Sequence, residues 1–381
     1  MDISGTFPNS QTAATTHRKI SNDLNLIKRS GRRAFTINSF NLYQVKPQTL
    51  SVVRADEKQY QELESSAFFT NTNTSLSFYV SPITISMKLG VVGVVRTMES
   101  NLTGVSDTLG GLANDLSMRY ANLYASPEME YRKSDFEAKL SLPLSYNPYR
   151  YRDNLTDQDR NEDKVMFSPR LFMRYHFTSR LSASASGSYA QTPLSEQSFY
   201  DGLILNNYRN LSQGYIDYKT GNSKSANLSI RYRNPLKAFF ANANIMRSWN
   251  YSPRVSSRYF LKKHLLNSYK SQDYHSNMWL ASGNISMGVK AINGFFSLRS
   301  SFSNIEGAMF QNEIESNYTS ESWSISPKIT SRIAQWWNVS YELSFAQNWL
   351  KIKGMDEVSS YKTFRSSSQA ISPQAKSGIC N

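Results

Sequence analysis

The sequence of 381 residues has little of the chemistry that metal sites and disulfide frameworks need, with one cysteine, Cys380, and four histidines. A single cysteine excludes a disulfide within the chain and a cysteine-ligated zinc site. The histidines show neither His-x-x-x-His spacing nor a paired glutamate. They are His17, His176, His264 and His275. We therefore predict no metal ion and no cofactor.

Long uninterrupted apolar segments are also missing. The longest apolar-looking run, from Ile83 to Val95, contains Lys88 and several small or hydroxylated residues. A membrane-spanning helix needs about 20 consecutive apolar residues, so helical spans are excluded. A strand that crosses a membrane within a barrel needs only about 10 residues with alternate positions apolar, and hydropathy does not exclude it.

Motifs for catalysis are absent and the one cation-binding motif is incomplete. There is no Gly-x-Ser-x-Gly elbow and no glycine-rich phosphate-binding loop. Asp157, Asp159 and Asn161 match the first ligands of a calcium loop. However, Glu162 replaces the required glycine and Ser168 replaces the closing glutamate. We therefore predict that the chain is not an enzyme and that this segment is a solvated loop.

The net charge of +14 is strongly basic. Such a balance can indicate nucleic acid or anionic lipid headgroups as partners. The basic residues do not form a tail, a helix face or a run, and no nucleic-acid-binding module accompanies them. We predict no nucleic-acid partner.

What the sequence does contain is a period-two alternation of apolar and polar residues, clearest from about Phe167 onward. Small or apolar residues alternate with serines from Leu181 to Tyr189, and Trp337 to Phe345 alternates in the same way. Residues 226–233, 239–245 and 323–330 repeat the pattern. Each segment is predicted to be a strand with one polar and one apolar face. The candidates for a polar lumen-facing wall are Arg231, Arg233, Lys328 and Glu342.

The connections between these strands alternate in length. Short turns are predicted near residues 178–180, 234–235, 292–294 and 333–335. Long polar loops are predicted at residues 191–224, 250–277 and 305–319, with a further one at 146–164. In an up-and-down barrel all odd connections lie at one end and all even ones at the other. The sequence therefore predicts an all-β, antiparallel transmembrane β-barrel, a partial meander with short periplasmic turns and long external loops.

Aromatic residues flank the short turns, which is typical of a belt at a membrane interface. They are Tyr175, Phe177, Tyr232, Phe239, Phe240, Phe295, Phe296, Trp336 and Trp337. The same arrangement also occurs beside turns of soluble β-proteins.

The first half of the chain is less regular. A hairpin is predicted from residues 22–28 and 35–42, and residues 74–95 should contain two more strands. Roughly 14 strands are predicted in all. No domain boundary is visible, so residues 1–381 are interpreted as a single barrel region with an atypical tail at 366–381.

Several segments resemble the C-terminal barrel region of TonB-dependent outer-membrane receptors, of the type that imports glycans and other nutrients. The similarity runs from about residue 18 to about residue 365. The segments are Ser21–Leu24 with Ile27–Arg29, Ser66–Ser75, Met98–Ser100, Leu116–Tyr120, Tyr146–Tyr151, Ser168–Arg170 and Leu181–Ser186.

The resemblance implies a fragment of a nutrient importer in the outer membrane of a Gram-negative bacterium. Its implied partners are outer-membrane lipid, the TonB energy-coupling system acting through a plug, and a surface substrate-binding lipoprotein. The signal peptide, plug domain and closing aromatic of the family are not found, so we expect truncation at both ends of a barrel of about 22 strands. Such a chain alone should not insert and conduct, because unpaired strand edges are not satisfied in lipid.

Two other hypotheses stay open. A passive porin or structural barrel protein would have a water-filled lumen lined by the four candidate residues. An enzyme on a smaller barrel would need a serine or aspartate beside a histidine such as His264 or His275. The substrate is not predicted, although the aromatic-rich segment from Tyr200 to Tyr218 would suit stacking on sugar rings.

Overall fold

The computed structural model describes residues 9–54, 57–105, 111–192, 200–214, 219–261, 264–334, 337–354 and 358–371. Almost all of these residues belong to strands of one sheet. The strands are β1 (Asn9–Thr15), β2 (Arg18–Ser30), β3 (Arg33–Arg54), β4 (Glu57–Val80), β5 (Ile83–Thr103), β6 (Ala113–Lys133), β7 (Phe136–Ser141), β8 (Leu144–Asp153), β9 (Gln158–Phe167), β10 (Arg170–His176), β11 (Leu181–Thr192), β12 (Leu203–Leu205), β13 (Asn210–Gln213), β14 (Gly221–Asn234), β15 (Phe239–Phe260), β16 (Leu265–Val289), β17 (Gly294–Gln311), β18 (Ile314–Ala334), β19 (Trp337–Ile352) and β20 (Val358–Ile371). Single 3-10 turns occupy Pro235–Lys237 and Lys290–Ile292. Within the described ranges, no helix has the length and apolar character needed to cross a membrane.

Consecutive strands pair in antiparallel fashion and form a meander. At three positions in the sheet, two consecutive short strands take the place of one long strand. β1 and β2 both pair with β3, β7 and β8 both pair with β6, and β9 and β10 continue one another opposite β8 and β7. Pro143 and Pro169 stand in two of the interruptions, where a residue without an N–H cannot donate to the ladder. If each of these pairs is counted as one strand, and β12 and β13 are left out because they lie outside the meander, the sheet has about fifteen strands. This is close to the number predicted.

The short turns lie together at one end of the sheet, here called the short-turn end. They follow β2, β4, β6, β10, β14 and β16 and are two to four residues long. Three predicted turns, near residues 178–180, 234–235 and 292–294, are confirmed. Ala238 and Asn293 close two of these turns with φ of 47° and 46°. The predicted turn at 333–335 lies only partly within the described residues, and Trp336 lies outside them.

The opposite end, here called the mouth, corrects the prediction of long loops. β15 and β16 continue through residues 250–277 and are joined by Leu261–His264. β17 and β18 likewise fill residues 305–319 and leave only Asn312 and Glu313 as a turn. β8 and β9 fill most of 146–164. The loop prediction was wrong because a strand whose outer face is polar loses its alternation while its ladder of backbone hydrogen bonds continues.

Within the loop predicted at 191–224, the residues between the end of β11 at Thr192 and the start of β14 at Gly221 do form a long connection, but it contains structure of its own. β12 and β13 pair as a small hairpin, here called the mouth hairpin (residues 200–213). β13 also pairs in parallel with the start of β16. The connection therefore returns to the sheet instead of extending away from it.

Candidate functional site

One face of the sheet is apolar, here called the outer face. Ile230 on β14 lies directly opposite Ala183 on β11 and Ala243 on β15, and 47% of its surface is exposed. Residues opposite one another in a ladder share a face, so the register extends this surface across the neighbouring strands. Its exposed apolar side chains include Leu228, Ile245, Ile285, Phe302 and Ile329. A contiguous apolar surface of this extent suits lipid, not water.

Aromatic rings border the outer face at the short-turn end. Tyr175 contacts Phe177 with ring centroids 5.0 Å apart, and Tyr232 contacts Phe239 at 5.8 Å. Trp337 is also on this border and is exposed. Phe240 and Phe295 belong to the alternating positions of the opposite face, so only part of the predicted set forms the belt.

A second row of aromatic rings crosses the outer face nearer the mouth, and the sequence did not reveal it. Trp249, Trp279 and Trp323 are 38%, 41% and 36% exposed. Each stands ten or eleven residues from the short-turn end of its strand. At about 3.4 Å per residue and a tilt of about 40°, that separates the two rows by roughly 25 Å, the height of the apolar band of a membrane barrel. The rows have the spacing of two interfacial belts.

The inner face is polar and carries all four candidate residues. Arg231 lies opposite Ser182 and Asn242, and Arg233 follows on the same face. Lys328 and Glu342 lie opposite one another, with Lys328 Nζ 3.4 Å from Glu342 Oε2. The structure therefore brings the last two together, but it keeps the two arginines on another part of the wall.

A network of charged side chains on the inner face near the short-turn end was not predicted. Arg132 approaches Glu130 at 2.8 Å and Glu137 at 3.3 Å. Lys139 pairs with Glu128 at 2.9 Å, and Arg174 reaches Glu137 at 3.4 Å. The residues come from β6, β7 and β10, whose pairing is not evident from local sequence. Each exposed ion pair stabilises the fold by at most about 1 kcal/mol. As a network, the pairs link the side chains of β6, β7 and β10 on the inner face.

The mouth hairpin packs against the inner face through leucines. Leu203 and Leu211 are fully buried and Leu205 nearly so. Their apolar neighbours on the sheet are Leu50, Val52, Leu102 and Leu266. A second buried cluster, which includes Met98, Met118 and Tyr151, contacts Tyr200 and Ile204. These contacts hold the hairpin across the inside of the mouth.

Hydrogen bonds hold the mouth hairpin to strands that are far apart in the sheet. Gln61 on β4 donates to the Leu205 carbonyl at 3.1 Å and accepts from the Leu205 amide at 2.6 Å. On the other side, the Leu265 amide donates to the Arg209 carbonyl at 2.7 Å. The sheet is therefore curved strongly enough to bring β4 and β16 around one hairpin. Gln59 Nε2 lies 3.0 Å from Nε2 of His264, which confirms this curvature.

Asp201 lies at the start of the mouth hairpin. Removal from water and the nearby Asp153 raise the pKa of its carboxyl above the ordinary value, and Arg160 opposes the rise. Tyr200, proposed for stacking on sugars, is instead part-buried and donates to Ser212 at 3.0 Å. Tyr218 lies outside the described residues.

The histidines and the partial calcium motif form no metal site in the described part of the chain. His275 contacts the ring of Tyr251, His176 ends β10, and Asp157 occupies a left-handed turn position with φ of 51°.

Neither a family model nor a curated protein sequence matches the chain. Solved structures do match. The ferric yersiniabactin uptake receptor FyuA from Yersinia pestis superposes with a TM-score of 0.51 and 8% identity over 96% of this chain. The ferric citrate transporter FecA superposes with a TM-score of 0.53 and 7% identity, also over 96%.

The chain spans 62% of the length of the first structure and 63% of the second. Both are described as uptake or transport proteins. The chain has the β-barrel fold of the TonB-dependent outer-membrane receptors.

Proposed function

We propose that the chain forms part of the barrel wall of an importer, which takes up nutrients across the outer membrane of a Gram-negative bacterium. The observation that carries the proposal is the division of the sheet into two faces. The outer face is apolar between two aromatic rows, and the inner face is polar and partly covered by the mouth hairpin. A barrel between lipid and an aqueous lumen needs this division.

The mouth hairpin favours active import over passive diffusion. A porin needs an unobstructed aqueous lumen, whereas buried leucines and reciprocal Gln61–Leu205 hydrogen bonds fix this hairpin inside the mouth. The polar wall with Arg231, Arg233, Lys328 and Glu342 is the observation that favours the second candidate, a passive porin or structural barrel protein.

In the importer, substrate would be captured at the mouth and released when the TonB system acts on a plug inside the lumen. A surface lipoprotein could deliver the substrate. Glycans, siderophores and similar nutrients are the substrate classes proposed. Ferric chelates come first for testing because the two superposed structures are described as a ferric yersiniabactin receptor and a ferric citrate transporter.

The test is to express the protein from its complete reading frame and record conductance in planar bilayers. The importer should show no steady large conductance until its plug is deleted and residues 200–213 are also replaced by a Gly-Ser linker. The matched control replaces the turn at residues 154–157, which does not cross the mouth. A steady open channel in the unaltered protein would favour the porin.

Transport itself is tested in cells. Uptake of radiolabelled ferric chelates or glycans should stop when the proton-motive force is collapsed. Uptake that continues unchanged would contradict the TonB-coupled proposal. Reading the coding sequence upstream gives an independent check, since an in-frame plug domain supports the importer and a signal peptide without a plug supports the porin.

A further inference from the structure

Arg247 on β15 occupies an unusual place for a cation, because it lies on the outer face. It stands two positions from Ile245 on the same strand and directly opposite Ala226 and Trp279. Its guanidinium carbon is 4.7 Å from the ring centroid of Trp249 and 4.6 Å from that of Trp279. The two indoles hold the charge in place at the surface of the sheet.

The position of Arg247 along the barrel axis matches the depth expected for a lipid headgroup. Eight residues separate it from Phe239 at the short-turn end. At about 3.4 Å per residue and a tilt of about 40°, it stands roughly 20 Å along the barrel axis, near the upper edge of the apolar band. The apolar side chains of Ile230 and Ile245 lie below it on the same face.

No described residue forms an ion pair with the positive charge at this place. Lys224 lies opposite Trp249 and so adds a second cation diagonally across from Arg247. Neither cation forms an ion pair among the described residues, and Arg247 Nε is buried without a hydrogen-bond partner there.

Two carboxylates on the same face are already occupied. Asp273 accepts from Tyr251 at 3.0 Å and lies 3.6 Å from Lys219 Nζ. Glu306 accepts from Asn277 at 2.7 Å. Among the described residues, neither carboxylate forms an ion pair with Arg247 or Lys224.

A concave surface lies beside these cations on the side toward the mouth. It encloses about 400 Å³, and its lining includes Lys224, Trp249, Tyr251, His275 and Asn277. The lining combines a cation, aromatic rings and amide groups, which suits a polar headgroup with an anionic part.

We propose that Arg247 and Lys224 bind a phosphate group of a lipid in the outer leaflet. The acyl chains of the lipid lie on the apolar surface around Ile230 and Ile245, and its polar headgroup occupies the concave surface beside Trp249. The proposal rests on the proposed position in the outer membrane. A phosphate suits the site because it accepts paired hydrogen bonds from a guanidinium that the flanking indoles orient.

The test uses the protein expressed from its complete reading frame and folded in detergent micelles. Binding of a bis-phosphorylated disaccharide lipid and of the same lipid without phosphates is measured by native mass spectrometry. The unaltered protein should bind the phosphorylated lipid about tenfold more tightly, the preference expected from one hydrogen-bonded charge pair. Arg247→Gln combined with Lys224→Gln should abolish the preference.

Arg299→Gln is the matched control, because Arg299 lies opposite Asn284 and Ser326 on the inner face. It should keep the preference. Heat-modifiable migration on gels shows that each variant is folded. Equal binding by the double variant, or no preference for phosphate in a folded protein, would overturn the proposal alone.

Inorganic phosphate separates a lipid site from a free-anion site. If millimolar inorganic phosphate binds as well as the lipid and displaces it, the lipid proposal is overturned. A protein that never folds as a heat-modifiable barrel in micelles would overturn the proposed membrane position and this inference together.

Discussion

The division into an outer apolar face and an inner polar face predicts that neighbouring residues respond oppositely to one substitution. Ile230 and Ser229 are adjacent on β14, and they lie on the outer and the inner face respectively. We expect Ile230→Arg to destabilise the folded barrel strongly and Ser229→Arg to change it little. The pair is matched because the strand, the depth and the introduced side chain are the same.

The magnitude follows from the depth of Ile230. Four residues separate it from Asn234 at the short-turn end. At about 3.4 Å per residue and a tilt of about 40°, it lies roughly 10 Å into an apolar band of about 25 Å, near the midplane. An arginine at the midplane of a membrane barrel costs about 2–4 kcal/mol, whereas a position facing water costs less than about 0.5 kcal/mol.

The assay is reversible unfolding in urea of the protein, expressed from its complete reading frame and folded into phosphatidylcholine vesicles, followed by tryptophan fluorescence. Ile230→Arg should lower the free energy of unfolding by at least about 2 kcal/mol more than Ser229→Arg. Equal effects of the two substitutions, or a larger effect at Ser229, would refute the assignment of the faces. Ile230→Ala serves as a control for the loss of the isoleucine side chain itself.

Three further predictions concern the mouth and the wall. Leu203→Ala should destabilise docking of the mouth hairpin by about 3 kcal/mol, seen as faster hydrogen exchange of its amides, because a fully buried leucine is lost. The raised pKa of Asp201 means that its protonated form favours the docked hairpin, so protection should increase as pH falls through that pKa and decrease as pH rises. Asp201→Asn should remove this dependence once exchange rates are corrected for pH. The half-exposed Lys328–Glu342 pair should show a coupling of no more than about 1 kcal/mol in a double-mutant cycle, and about 2 kcal/mol or more would show a desolvated pair.

The alternation in the sequence predicted the sheet well where one face is apolar and the other is polar. Leu181–Tyr189 and Trp337–Phe345 fall inside β11 and β19, and the hairpin predicted around Gly31 is formed by β2 and β3. In these segments burial differs between the two faces, so each residue type reports the face it occupies. The strand ends were less accurate, since β4 begins at Glu57 and not near Thr74.

The mouth hairpin could not be predicted in the same way. Its strands are three and four residues long, too short to show a period. Its leucines pack against Leu50, Val52 and Leu102, which are more than a hundred positions away, and against Leu266. Gln61 and Leu205 meet only because the sheet curves. Nothing near either residue in the sequence records that contact.

The wrongly predicted loops nevertheless mark a physical boundary. The segment interpreted as a loop from Asn250 to Asn277 begins directly after Trp249 and ends two residues before Trp279. Both tryptophans belong to the aromatic row near the mouth, so alternation ends where strands β15 and β16 leave the apolar band. Beyond that height the outer face of β15 and β16 carries mainly polar residues, and the sequence no longer distinguishes a strand from a loop. In the proposed membrane barrel, the limit of the periodic pattern therefore reports the position of the membrane interface, although it gives the wrong secondary structure above it.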